Sequence, residues 1–334
     1  MKLMKVKKMV KVAVDLMGGD NAPAEIEKGV LAAVGEDESL EVKLYGTEGA
    51  YTGGHPRVEF IEVTEKIESD DDPVRSVRRK KDSSLVRACK AVKDGEVAAC
   101  VSAGNTGALM SAGLFVVGRI RGIERPAIGT LLPSIDGRGM MLLDMGANAE
   151  NKPKHLEQFA VMADIYMREI AGRDNPTVGL VNNGSEENKG SELTKETFKL
   201  LRESDMNFIG NFETRDILSG DVDIAVTDGF TGNVVLKTIE GTASALMSEI
   251  KDVFLKSTKN KMAAMVLKND FKAVKDLLDY RQYGGAPLLG LDGNVLKAHG
   301  SSDSVAIVSA LRQARKMADS QAISKIKERI EESA

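Results

Sequence analysis

No tryptophan occurs among the 334 residues, and the aromatic set is limited to nine Phe and five Tyr. Single-stranded nucleic acid needs stacking platforms and duplex needs a basic excess. With 46 Lys+Arg against 50 Asp+Glu the formal net charge is −4, so nucleic acid is excluded as a partner. Only two cysteines are present, Cys89 and Cys100, both in apolar stretches without metal-ligand spacing. They read as buried thiols of a reducing compartment, not as a disulfide or a zinc site. Long apolar runs are missing too. The longest uncharged stretch, 101–118, is interrupted by Gly104, Asn105, Thr106 and Gly107 and closed by Arg119, too polar for a membrane span. Residues 1–8 are basic but hold no apolar run or small-residue cleavage site, which argues against a secretory signal.

Several nucleotide and hydrolase signatures are also absent. No G-x-G-x-x-G follows the first predicted strand, and 184–191 reads G-x-x-x-x-K-G-S, with Lys and Gly in the wrong order for a P-loop. His55, His155 and His299 lie far apart and no Gly-x-Ser-x-Gly elbow accompanies them, so a serine hydrolase is disfavoured. Asp70-Asp71-Asp72 before Pro73 reads as a solvated turn, and no metal is expected.

What is present is a globular composition, 42% hydrophobic and 29% charged, in which short β-branched runs alternate with helical patterns. Strands are predicted at 10–15, 41–45, 58–63, 97–101, 140–144, 178–181, 207–209 and 223–227. Helices are predicted at 24–34, 83–93, 108–119, 153–171, 192–203 and 304–332. This βαβ order predicts an α/β fold with a mostly parallel sheet, helices on both faces and ligands beyond the carboxyl ends of the strands. One stretch breaks the alternation: 231–280 is helical throughout, so the chain is read as a single domain, 1–334, with a projecting helical excursion at about 238–280.

Five polar, glycine-rich loops follow strands or open helices, at 17–23, 102–108, 182–190, 227–233 and 297–303. Each places Gly with Asn, Ser or Thr before a helix, where free backbone N–H groups and the helix dipole favour an anion. Taken singly such loops are ordinary turns and caps; five at one end of a parallel sheet point to an anionic ligand. The runs Val12-Ala13-Val14-Asp15-Leu16-Met17-Gly18-Gly19-Asp20-Asn21-Ala22-Pro23, Asp72-Pro73-Val74-Arg75-Ser76-Val77-Arg78-Arg79-Lys80-Lys81 and Ser102-Ala103-Gly104-Asn105-Thr106-Gly107-Ala108 resemble the bacterial phosphate acyltransferase (PlsX) family. The 226–233 and 297–303 loops are similar to that family in the same order, and the resemblance covers roughly 11–314.

The resemblance implies transfer of a fatty acyl group from acyl-(acyl carrier protein) to inorganic phosphate, giving acyl phosphate for phospholipid synthesis. It implies a Rossmann-like three-layer α/β/α fold of the isocitrate/isopropylmalate dehydrogenase type and a cytoplasmic homodimer at the inner face of the membrane. It implies no cofactor, and a downstream membrane glycerol-3-phosphate acyltransferase that takes the product. Since phosphate is itself the nucleophile, fixed neutral donors suit the reaction and no triad is needed.

Gly104, Asn105, Thr106 and Gly107 with Ser301 and Ser302 are assigned to the phosphate cradle, with Asn182 and Asn183 as further binding candidates. Lys189 would supply charge and His299 an acid or oxyanion donor, or else each is a loop residue. Asn233 and Asp228 either act in catalysis or cap and brace their loops, and Asp15 and Asp20 are read as loop braces. Arg75, Arg78, Arg79, Lys80 and Lys81 form a basic cluster for an acidic carrier protein, or else a solvated helix start. On the excursion, Phe254, Leu255, Met262, Met265, Val266 and Leu267 among lysines suggest a dimer face with a tip that touches anionic lipid. Two alternatives stand beside this reading, a non-catalytic phospho-metabolite sensor and an isocitrate-type NAD(P)-dependent dehydrogenase.

Overall fold

The computed structural model describes residues 9–277 and 284–332. The basic segment 1–8 and the last three positions of the expected excursion, 278–280, lie outside the described residues. In chain order the first half holds β1 (Val10–Asp15), α1 (Ala24–Glu36), β2 (Leu40–Gly46), β3 (Val58–Glu62), α2 (Pro73–Arg79), α3 (Ser84–Lys93), β4 (Ala99–Ser102), α4 (Thr106–Ala112), β5 (Ala127–Leu132), β6 (Met140–Leu143) and α5 (Pro153–Glu169). The second half holds β7 (Thr177–Asn182), α6 (Glu192–Glu203), β8 (Asn207–Glu213), β9 (Ile224–Val226), α7 (Gly229–Leu255), α8 (Thr258–Leu277), β10 (Ala286–Leu289), β11 (Asn294–Lys297), α9 (Ser304–Asp319) and α10 (Ala322–Glu332).

Where the sequence reading has one domain, the contacts divide the chain into two compact units. The first comprises the described parts of Met1–Thr130, Val161–Asn175 and Arg281–Ala334, and the second those of Leu131–Ala160 and Pro176–Tyr280. Two of the crossings fall inside β5 and α5. No Pro- or Ser-rich linker marks them, which is why composition does not reveal the division.

In the first unit the strand order is β3-β2-β1-β4-β11-β10-β5. β1, β2, β3, β4 and β11 pair in parallel, and β10 runs antiparallel to both β11 and β5. β5, β10 and β11 are elements that the hydrophobic pattern does not announce. Pro287 sits inside β10 opposite Leu296, and a proline without an N–H argues against a strand interior. Helix packing follows small residues: a Cβ on Gly29 of α1 would stand 2.6 Å from Ile307 Cβ of α9, so the two helices approach at a glycine. Cys89 and Cys100 are buried free thiols with their sulfurs 3.9 Å apart; the shared hydrogen bond and burial push the Cys100 thiol well up.

The register of three neighbouring strands matters most for function. Asp15 is level with Ser102, and Ser102 with Lys297. The carboxyl ends of β1, β4 and β11 therefore present an acid, a hydroxyl and a cation in one row.

The second unit has the parallel order β6-β9-β7-β8. Its core joins Met140 and Leu142 of β6, Val181 of β7, Phe212 of β8, Ala225 of β9 and Leu236 of α7. The expected helical excursion consists of two helices, α7 and α8, and no residue from Lys237 to Phe271 is buried. Phe254 and Phe271 hold the pair together edge to face, with ring centres 4.8 Å apart. The C-terminal helix expected as one at 304–332 is two, parted at Ser320 and Gln321. The helix expected at 108–119 starts at Thr106, loosens into a π turn over Gly113–Val117 and stops at Gly118 with φ 97°.

Candidate active site

At the foot of the site lies Asp15, 2% exposed. Its Oδ1 accepts the Ser84 hydroxyl at 2.5 Å and the Met17 N–H at 3.2 Å, and its Oδ2 accepts the Ser102 hydroxyl at 2.6 Å. Burial raises the carboxyl above its usual value, and the hydroxyls, the Met17 amide and Lys297 oppose that rise. Asp15 is the loop brace expected of it. Gly18 and Gly104 meet directly above it, where a Cβ on Gly18 would stand 2.5 Å from Asp15 Oδ2 and 2.6 Å from Gly104 N. Two loops can pass this closely only without side chains.

The 298–302 loop closes against the first. Asp20 N–H donates to Gly300 O at 2.8 Å, and Asn21 Nδ2 donates to the carbonyls of Ser301 and Ser302, each at 3.2 Å. Around these loops is a cavity of about 270 Å³ lined by Met17, Gly19, Asp20, Ala103–Thr106, Lys297, Gly300 and the 66–69 segment. His299 is exposed with Nδ1 2.9 Å from Ser301 Oγ, and Ser302 Oγ is buried with no hydrogen-bond partner among the described residues.

Several predicted donors are committed elsewhere. Asn105 caps α4, its Oδ1 accepting Ala108 N–H at 3.0 Å, while its Nδ2 donates to the carbonyls of Ser69 at 3.0 Å and Asp71 at 3.2 Å. The side-chain part of the cradle assignment is corrected accordingly: the Asn105 carboxamide has no hydrogen left for a ligand, and that side chain contributes position instead. Gly107 has a packing role besides. A Cβ there would meet Pro73 Cγ at 2.7 Å, so this glycine serves the packing of α4 on α2. Asn105→Ala is accordingly expected to cost about 1–2 kcal/mol of stability through the lost cap and the untied 68–71 loop. A urea midpoint equal to the wild type's would contradict it.

In the basic cluster, Lys80 Nζ is turned inward to Asp71 Oδ2 at 2.5 Å and to the Lys66 carbonyl at 2.8 Å, and it holds Asp71 below the usual carboxylate range. Arg78 lies over the Phe115 ring at 5.2 Å. Arg75, Arg79 and Lys81 are exposed.

In the second unit, Asp144 at the end of β6 is fully buried and gathers the N–H groups of Ala147 at 3.1 Å and Asn148 at 2.9 Å. The first turn of α7 seats on this turn, with Gly229 N–H donating to Asn148 O at 3.1 Å. Asp228 is a cap: Oδ1 accepts Thr231 N–H at 2.9 Å and Oδ2 accepts its hydroxyl at 2.7 Å. Both oxygens serve Thr231, which shows the bracing role of Asp228. Asn182 Nδ2 donates to Lys189 O at 3.2 Å and its Oδ1 accepts Asn183 N–H at 2.9 Å, so Asn182 organises its own loop. Lys189, Asn183 and Asn233 are exposed, and no contact among the described residues of this unit assigns them a role.

The family model described as fatty acid synthesis protein matches residues 10–325. The chain belongs to that family. A phosphate acyltransferase of Staphylococcus aureus is 51% identical over 326 residues, 97% of this chain and 99% of the relative. Among solved structures, a phosphotransacetylase from Streptococcus pyogenes superposes with TM-score 0.58 at 17% identity, covering 93% of this chain and 94% of that one. A structure from Salmonella typhimurium described as a 4-hydroxythreonine-4-phosphate dehydrogenase gives 0.53 at 14%, covering 93% and 99%. At these identities the two structures speak for the fold, a Rossmann-like α/β/α arrangement.

In this member of the fatty acid synthesis protein family, sequence reasoning passes over Lys297 and the 66–69 rim of the cavity. The signal for Lys297 is present: a lone lysine follows the apolar pair Val295-Leu296, directly before the loop.

Proposed function

We propose that the chain is a phosphate acyltransferase that moves a fatty acyl group from the thioester of an acyl carrier protein to inorganic phosphate, reversibly. The observation that carries this reading is the 51% identity with the Staphylococcus aureus phosphate acyltransferase across 97% of the chain. The cavity supports it, with room for a phosphate-sized anion and several waters at about 30 Å³ each. A phosphate oxygen attacks the thioester carbon, a C–O bond forms and the carbonyl oxygen takes the charge; collapse then breaks the C–S bond and expels the thiolate. Fixed donors from the Gly104–Thr106 and 299–302 loops hold the phosphate in line, and His299 is the acid or oxyanion donor.

The test is free thiol released from acyl-(acyl carrier protein). Release should require phosphate, and added salt should slow it for the carrier-bound substrate more than for a small thioester, because Arg75, Arg79 and Lys81 attract an acidic carrier. Thiol release that ignores phosphate overturns the reading.

The second unit's helices support a homodimer and a membrane contact as part of the same proposal. No described helix is long and apolar enough to cross a membrane. Yet Leu255, Met262, Met265 and Val266 are exposed, Val266 by 81%, in a segment with Lys256, Lys259, Lys261 and Lys268. A twofold copy covers the nearer apolar stripe, and the tip lies on anionic lipid at the inner face of the cell membrane, where a glycerol-3-phosphate acyltransferase takes the lipophilic product. Leu255→Glu with Val266→Glu should leave an active dimer that sediments less with anionic vesicles. Loss of the dimer would place these residues in the subunit contact instead.

A further inference from the structure

Lys297 is the least expected residue of the cavity. It is 8% exposed, yet it lines the cavity beside Gly104 and Gly300. Its ammonium donates to Ala103 O at 3.0 Å and to Ala298 O, one carbonyl from each of the two loops that close the site. An ammonium carries three N–H donors, so one remains, and it meets no acceptor among the described residues.

The charges around it define what that donor is for. Asp15 faces it from β1 and Asp20 from the loop after β1. Across the cavity Lys66 and Glu68 pair with each other at 2.9 Å, and His299 stands on its own loop beside Ser301. Asp15 is engaged by two hydroxyls and an amide. Asp20 also lines the cavity, and a dianion entering beside it is repelled unless a cation meets it.

We propose that Lys297 is the cation of the acceptor site, holding the two loops together with two of its N–H groups and donating the third to an oxygen of bound inorganic phosphate. This rests on the phosphate acyltransferase reading and adds to it the charge that neutral loop donors lack. Burial brings the ammonium down to about 8, with Asp15 and Asp20 holding it up against that fall. The site therefore loses its cation as the pH rises through the upper end of the physiological range.

Equilibrium dialysis with radiolabelled inorganic phosphate tests this without acyl donor. From pH 8 to pH 10, where phosphate keeps one charge state, wild-type affinity should fall by about 10- to 20-fold in all, levelling toward that of the uncharged side chain. Lys297→Met should bind phosphate about 50-fold more weakly, as expected for a lost charged hydrogen bond, with little dependence on pH. In turnover its KM for phosphate should rise while its KM for the thioester stays within about threefold; a purely structural staple would raise both. If Lys297→Met does not fold, the wild-type pH series decides alone. Flat wild-type affinity across that range, or a folded Lys297→Met that binds phosphate like wild type, overturns the proposal. Phosphate binding with the expected pH dependence but without thiol release would instead overturn the transferase reading and leave Lys297 as an anion-site cation.

Discussion

Gly232→Ala is expected to destabilise the protein by about 3 kcal/mol or more, the upper end of what overpacking costs. A Cβ at this position would stand 1.9 Å from the carbonyl oxygen of Asp144 and 3.0 Å from its carbon. The obstacle is backbone, and that backbone belongs to a turn held by the buried Asp144 carboxylate, so it cannot give way as a flexible side chain would. The first turn of α7 must lift, which breaks the Gly229 N–H to Asn148 O hydrogen bond and draws Leu236 from the core of the second unit. Gly241, on the same helix, is the control. Nothing lies within 4 Å of its added Cβ, so Gly241→Ala should stabilise by about 0.5–1 kcal/mol through helix propensity. Denaturant midpoints for the two variants should move in opposite directions, and a Gly232→Ala midpoint at or above the wild type's would refute the close approach.

Asp15→Ala should act on stability and turnover together. Removing the carboxylate leaves the Ser84 and Ser102 hydroxyls and the Met17 N–H without their acceptor in a buried place, each at about 1–3 kcal/mol and less than additively. A net loss of about 3 kcal/mol is expected. The same carboxylate holds the loop carrying Gly18 and Gly19 over Gly104, and it is one of the two acids facing Lys297. Phosphate-dependent thiol release should therefore fall by about 10²-fold in the fraction that folds, the scale of loss that misplaced active-site groups produce. Asp15→Asn keeps an acceptor oxygen for one hydroxyl and should lie between the two. An Asp15→Ala variant with wild-type turnover would show that the loops hold their places without it.

The hydrophobic pattern by itself determined the βαβ order and most of the fold class, because burial leaves a local mark. β1 and α6 fall where the periodicity places them, at Val10–Asp15 and Glu192–Glu203, and the resemblance to the phosphate acyltransferase family rests on loop residues legible in order along the chain. Glycine and capping residues likewise announced where the loops are. Which side chains in those loops are at liberty was not legible, since hydrogen-bond partners are remote in sequence. Asn105 is committed by carbonyls 34 and 36 residues away, and Asp15 by hydroxyls 69 and 87 away. Tertiary structure alone decided the β10–β11 hairpin, whose proline and short strands give no periodic signal, and that hairpin brings Lys297 level with Ser102 and Asp15. A sequence records what each residue can bury or donate; only the register of strands distant in the chain decides which of those groups meet.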